Sequence, residues 1–292
     1  MTTAPASMTN VGPAQPGLLR KIPVFLLFFV VESMVFAIMP LSGFLPMPPL
    51  RIMQAALLAI LLVVTLWLRR SVSRRPYWPV CYVCFVGGLA VLFSNVFSDS
   101  LMALFGATVT NPQGVAIAKF SESLLRVAAI LVLMAIVGTD WRSIFLQKGR
   151  LGLGLAIGVP GFLVLAAWGL LPMAGQPGGV NTLLSLLPWI LLFVLSNAFM
   201  EELLFRGIFL KRYEPFLGKG LSLLLTTIAF TLLHFQAGYV VNAILFLVQL
   251  FPFALTWGCL MQKTDSLWGS VLFHAGADGI IIFNIFKMMG AI

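Results

Sequence analysis

The chain has 292 residues, of which 60% are hydrophobic and 9% charged. A soluble globular domain carries nearer 25% charged residues, so the composition excludes one and calls for a polytopic membrane protein. A formal net charge of +9 would suit a nucleic-acid partner, but the placement of the basic residues gives it a simpler origin.

Residues 1–19 are uncharged and rich in Thr, Ala, Pro and Gly, and 1–21 read as a disordered cytoplasmic tail. Apolar stretches long enough to span a bilayer follow at 23–45, 52–68, 77–97, 115–137, 151–172, 183–210, 219–236, 240–262 and 267–289. They predict an all-α, polytopic transmembrane helical bundle of eight or nine spans; the last two gaps are short enough for one late segment to be broken or re-entrant. No small-x-small cleavage site follows the first stretch, so it reads as a retained span. The chain divides into the tail, transmembrane spans over 22–137, a cytoplasmic interfacial segment at 138–150, and further transmembrane helices over 151–292. The interfacial segment mixes Trp141, Ile144 and Phe145 with Arg142, Lys148 and Arg150, which predicts a short helix lying on the membrane.

With the N-terminus inside, the inner connections hold Arg20, Lys21, Arg69, Arg70, Arg74, Arg75, Arg142, Lys148, Arg150, Lys211, Arg212, Lys219 and Lys263. The outer connections hold Arg51 and Lys287, and Lys119, Arg126 and Arg206 lie within spans. This asymmetry satisfies the positive-inside rule, so topology accounts for the surplus charge and no nucleic-acid partner is needed. The location it implies is a multi-pass protein of a prokaryotic plasma (inner) membrane with a cytoplasmic N-terminus.

Several polar residues interrupt the spans. Glu32 stands alone in the first. Lys119, Glu122 and Arg126 in the fourth are three and four residues apart and share a face, which predicts an ion network. Gly154 and Gly158 in the fifth, followed by Pro160, predict close helix packing and a kink. Cys81, Cys84 and Cys259 sit in apolar surroundings and read as packing thiols, the redox-like spacing of the first two notwithstanding.

The densest cluster of charge is Glu201-Glu202-Leu-Leu-Phe-Arg206, inside the run 183–210. A charge at that depth costs roughly 2.5–3.5 kcal/mol on insertion scales and marks a functional site by default. Glu202 and Arg206 are four apart and share a helix face. Glu201 is five residues from Arg206, about 140° around an α-helix. Arg206 therefore neutralises Glu202 and leaves Glu201 as a carboxylate without a local cation, a candidate general base. A buried Glu–Arg pair that only fixes packing would need one Glu, not two.

The chain has two histidines, and both fall in late spans. His274 and Asp278 are four apart and share a face. From the nearest charged or polar boundary, at about 1.5 Å per residue, Glu201 lies ~15 Å deep, His274 ~12 Å and His234 ~22 Å. The third depth matches poorly unless its helix tilts or begins in the interface. The expectation is a single cavity open to the cytoplasm that collects all three.

Glu201-Glu202-x-x-x-Arg206, Phe230-x-x-x-His234 and His274-x-x-x-Asp278, on successive spans within 183–289, resemble the CPBP family, the CAAX proteases and bacteriocin-processing enzymes that include the type II CAAX prenyl endopeptidases. The resemblance implies a helical intramembrane peptidase in which Glu201 and His234 activate water while His274 and Asp278 hold the oxyanion, supported by Glu202 and Arg206. Its substrate would be a membrane-associated peptide or protein in the lipid bilayer. The third motif ends in Asp278 where prenyl-protein endopeptidases typically have Asn; an ionised Asp cannot donate a hydrogen bond, so Asp278 would be protonated, orient His274 or ligate a metal. No His-Glu-x-x-His is present, and a Glu- and His-activated water needs no metal. The expected cofactor is therefore none, with a divalent metal such as zinc on Glu201, His234 and His274 as the alternative. The rival function is a non-proteolytic membrane scaffold or immunity protein of the same fold that binds a membrane partner. A transporter built on Lys119, Glu122 and Arg126 is disfavoured, because those charges balance locally and no inverted half is evident.

Overall fold

The structure, a computed structural model, describes residues 17–36, 46–235 and 242–290, without the side chain of Met47. Among them are ten α-helices and no strand: α1 (Leu18–Phe36), α2 (Met47–Arg70), α3 (Trp78–Leu104), α4 (Pro112–Ile136), α5 (Leu151–Ala174), α6 (Gly179–Glu201), α7 (Leu210–Leu217), α8 (Lys219–Leu233), α9 (Ala243–Thr264) and α10 (Trp268–Met288). Most of the expected tail and the end of the first expected span lie outside the described residues.

Local chemistry sets several boundaries. Pro112 opens α4, where its missing N–H costs no helical bond. Asn111 caps the same helix by accepting the Gly114 N–H at 2.8 Å. Asn242 caps α9 in the same way, accepting from Leu245 N–H at 2.9 Å. The expected interfacial helix at 138–150 is not continuous. Only Trp141–Ile144 is helical, as a 3₁₀ turn, and Phe145 ends it at a φ of 62°.

Six helical segments are long and apolar enough to cross a membrane: Pro48–Arg70, Arg75–Leu104, Leu151–Ala174, Gly179–Leu217, Ala243–Thr264 and Trp268–Met288. The protein is a multi-pass helical membrane protein, but the count of eight or nine is not reproduced on that basis. The remaining expected spans fall short for identifiable reasons. Helix α1 carries Arg20, Lys21 and Glu32, α4 carries Lys119, Glu122 and Arg126, and α8 has 15 residues.

Hydropathy does not register how those charges are satisfied. Tyr213 on α7 donates its hydroxyl to Glu32 Oε2 at 2.9 Å, so Glu32 does not stand alone. Lys119 Nζ lies 2.7 Å from Glu122 Oε2, and Arg126 pairs with the other oxygen of Glu122. Arg126 Nε also donates to Ser94 Oγ on α3 at 2.8 Å. The ion network expected on one face of α4 is therefore formed.

Glycines let α5 lie directly against α10. A Cβ at Gly158 would stand 2.5 Å from the carbonyl oxygen of Gly269, and one at Gly169 would stand 2.5 Å from the backbone of Gly279. Small residues permit this backbone approach in place of side-chain interdigitation. Gly158→Ala is expected to cost about 1–3 kcal/mol by overpacking against backbone that cannot step aside. Gly152→Ala, with nothing within 4 Å of the added carbon, should leave stability unchanged or raised. Thermal unfolding of both variants in detergent checks the contrast.

The basic connections gather at one end of the bundle. Lys21 Nζ donates to Leu217 O at 3.2 Å, and Tyr77 stacks on Phe216 at 4.9 Å. Lys211 Nζ donates to Arg142 O at 2.7 Å, Arg150 N–H to Thr264 O at 2.7 Å, and Gln262 Nε2 to Lys219 O at 3.2 Å. At the opposite end Arg51 donates to Asn95 O at 3.1 Å, joining the start of α2 to α3 near its close.

Candidate active site

Helix α6 ends at Glu201, and the chain continues through a π-turn, Glu202–Gly207, all of it buried. Ile208 N–H bonds Leu203 O, five residues back, at 3.1 Å. Such turns are rare and concentrate at functional sites. Nothing in the spacing announces this one, so the ideal α-helical angle between Glu201 and Arg206 does not apply as drawn.

Arg206 is fully buried and bonded through both Nη atoms, while its Nε has no hydrogen-bond partner among the described residues. Its Nη1 lies 2.7 Å from Glu202 Oε1, its Nη2 donates to Ala254 O at 3.2 Å, and its guanidinium lies over the rings of Phe230 and Trp257, 4.5 and 5.6 Å from their centroids. Glu202 is the hub. Besides Arg206 it meets Ser270 Oγ at 2.8 Å through Oε2 and His274 Nδ1 at 2.8 Å through Oε1.

These contacts settle which ring nitrogens face the cavity. A carboxylate held by a guanidinium accepts hydrogen bonds, so His274 Nδ1 carries a proton and its Nε2 turns away from Glu202. The His274 ring is stacked on Trp257 with centroids 3.8 Å apart and planes 7° apart, which fixes its tilt. His234 follows the same logic. Its Nδ1 is 2.8 Å from Phe230 O, a group that only accepts, so Nδ1 donates and Nε2 is left free.

Both Nε2 atoms face Glu201. His274 Nε2 lies 3.5 Å from Glu201 Oε2, and His234 Nε2 lies 4.0 Å from Glu201 Oε1. Among the described residues no Lys or Arg forms an ion pair with Glu201. The two adjacent glutamates thus approach opposite nitrogens of one imidazole, Glu202 at Nδ1 and Glu201 at Nε2. Asp278 Oδ1 lies 3.6 Å from His274 Nε2, and Asp278 Oδ2 accepts from Asn197 Nδ2 at 3.0 Å.

A cavity of about 480 Å³ collects Glu201, His234, His274 and Asp278 on its wall, with Asn197, Trp257, Lys119 and Glu122 beside them. Glu202 and Arg206 stand behind the wall. His234 reaches the site despite the poor depth match because α8 is short and ends on it. The direction of the cavity departs from expectation. It is walled by α3 from Asn95 to Met102, the first turns of α4, the first half of α9 and α10 from His274 to Ile285. Those are the parts of the helices remote from the basic connections. Residue counts give the depth of a side chain but not the direction in which the space in front of it runs.

Three participants escaped the sequence reading. Asn197 precedes Glu201 by four residues and so shares its face, a usable signal. Its Oδ1 is buried and lacks a hydrogen-bond partner among the described residues. Ser270 also sits four residues before His274, again at same-face spacing. Trp257 carried no signal, being one tryptophan among seven.

Among the described residues no group of three or more His, Cys, Asp or Glu side chains is arranged to hold a metal ion. The donor set of Glu201, His234 and His274 does not form a ligand cage as it stands.

No curated protein and no solved structure matches the chain. Residues 183–280 match the family model described as type II CAAX prenyl endopeptidase Rce1-like, a stretch that contains Glu201, Glu202, Arg206, His234, His274 and Asp278. The match spans about a third of the chain, and it supports the CPBP group of CAAX proteases as the family of this region.

Proposed function

We propose that the protein is an intramembrane endopeptidase that hydrolyses a peptide bond of a membrane-associated protein or peptide with a Glu- and His-activated water. The observation that carries this reading is the carboxylate of Glu201, 3.5 and 4.0 Å from two imidazole Nε2 atoms on the wall of one cavity. The family match supports the same class of chemistry.

A water bound between Glu201 and His234 Nε2 gives one proton to Glu201 as its oxygen attacks the scissile carbonyl carbon. The carbonyl electron pair moves onto oxygen, which faces His274 and Asn197. A neutral His274 offers only a lone pair at Nε2, since its proton is committed to Glu202, and it donates there when the ring carries both protons. Asp278 anchors the Asn197 amide. The proton on Glu201 then passes to the departing nitrogen as the C–N bond breaks, leaving a new carboxyl and a new amine. Every step uses side chains of this chain, so the activity is expected to be metal-independent.

The test is cleavage of a membrane-tethered peptide library by the purified full-length protein in lipid. Wild type should cleave, His234→Ala should lose roughly 10²–10⁴-fold in rate, and a divalent-metal chelator should leave the wild-type rate unchanged. Loss of activity with chelator, restored by zinc, would overturn metal independence. No cleavage of any sequence would move the protein to the scaffold class.

In the bilayer, α1 and α4 cross together with the six apolar segments, their charges satisfied inside the bundle, and the short α8 decides between eight and nine spans. The basic end faces the cytoplasm of a prokaryotic cell, with the N-terminus on that side. In a cysteine-free background, Ser73→Cys should react with a membrane-impermeant maleimide only after permeabilisation; labelling in intact cells would reverse this orientation.

A further inference from the structure

The cavity and the basic connections occupy opposite halves of the bundle, and the layer between them is closed. On the basic side of Glu201 and His274 lie Glu202, Arg206 and Ser270, each 0% exposed, packed with Leu203, Leu204 and Ile208, also at 0%. A peptide cannot pass through that layer without breaking the Glu202–Arg206 pair. In the other direction the wall runs out to Asp99, Val109 and Gln249, all exposed. Thirteen cations mark the closed end, the end that the positive-inside rule assigns to the cytoplasm.

We propose that the site receives its substrate from the extracytoplasmic half of the membrane. The inference rests on the peptidase reading for its chemistry but on geometry and charge alone for its direction. It narrows the substrate class to membrane-anchored peptide segments whose scissile bond lies in the outer half of the bilayer or emerges from the outer surface. A prenylated C-terminal peptide presented on the cytoplasmic leaflet would meet the closed Glu202–Arg206 layer, so the substrate suggested by the family's description is not the one this cavity admits.

The wall composition agrees with such a segment. Phe193, Phe246, Phe253 and Ile281 present an apolar surface to lipid-embedded side chains, while the Lys119–Glu122 pair supplies a polar patch from the outer half of α4. An extended peptide laid along the wall can keep apolar residues in contact with the rings and its backbone near Asn197, whose buried Oδ1 lacks a partner among the described residues.

Two measurements decide the direction. In a cysteine-free background, Asp99→Cys in intact cells should react with a membrane-impermeant maleimide without permeabilisation, the opposite of Ser73→Cys. Labelling of Asp99→Cys only after permeabilisation overturns the proposal whether or not the protein is a peptidase. In proteoliposomes sorted by orientation, a membrane-impermeant peptide that the detergent-solubilised wild type cleaves should be cut only by vesicles whose basic end faces the lumen. Cleavage confined to vesicles with the basic end outward overturns it. Absence of cleavage even in detergent would remove the peptidase reading, and with it the substrate class, while the labelling still decides the direction of access.

Discussion

Glu201→Gln should abolish turnover while leaving the fold and peptide binding in place. The substitution keeps the shape of the side chain and its reach to both imidazoles, and it removes only the capacity to accept a proton from water. General-base catalysis contributes roughly 10²–10⁴-fold, and the residual rate should fall by at least that factor. Stability should barely change, because Glu201 pairs with neither Lys nor Arg among the described residues and its side chain keeps 13% exposure. His234→Ala should produce a similar loss, and the double variant should be little worse than either alone, since groups that act on one water are not additive. Single-turnover cleavage of a selected peptide, with binding measured separately, checks all three variants. Equal cleavage by wild type and Glu201→Gln would sink the assignment of the base. Preserved cellular function in a Glu201→Gln strain, with no cleavage by wild type, would favour the scaffold instead.

The Glu202–Arg206 pair could be read from its four-residue spacing, a contact distance on a helix. The same rule found the ion network on α4 and the His274–Asp278 pair. Each of these is a local relation within one helix, and periodicity encodes local relations well. Long-range relations left no such trace. The 2.8 Å contact between His274 and Glu202 joins two helices far apart in sequence, as does the bond from Tyr213 to Glu32. A hydropathy count charges α1 for Glu32, which Tyr213 on α7 satisfies, and α4 for three ions that pair with one another along the same helix. The π-turn at Glu202–Gly207 was hidden because no spacing rule marks i+5 bonding in a sequence. The direction of the cavity was hidden for a geometric reason, since it depends on which ends of six helices are splayed and which are sealed.

Arg206→Ala should be the most destabilising single change in the site. It leaves the Glu202 carboxylate at 0% exposure with only the Ser270 hydroxyl and the His274 ring to hold it. Removing one member of a buried pair typically costs about 3–5 kcal/mol, because the survivor stays desolvated and unneutralised. The guanidinium also fills space against Phe230 and Trp257 and binds Ala254 O, so its loss opens a void beside the tryptophan on which His274 stacks. Lower yield, a lower unfolding temperature in detergent and lost activity should therefore appear together. The paired replacement Glu202→Leu with Arg206→Met separates these effects. Replacing both ions by apolar groups of similar size is often neutral or better for stability, so the unfolding temperature should recover much of the loss. Activity should not recover, because His274 Nδ1 would have lost the acceptor that sets its tautomer and turns Nε2 toward Glu201. Recovery of both stability and turnover in the double variant would mean that Trp257 alone orients the imidazole and that the Glu202–Arg206 pair serves packing only. Recovery of stability alone identifies the pair as the support that holds His274 in its working orientation.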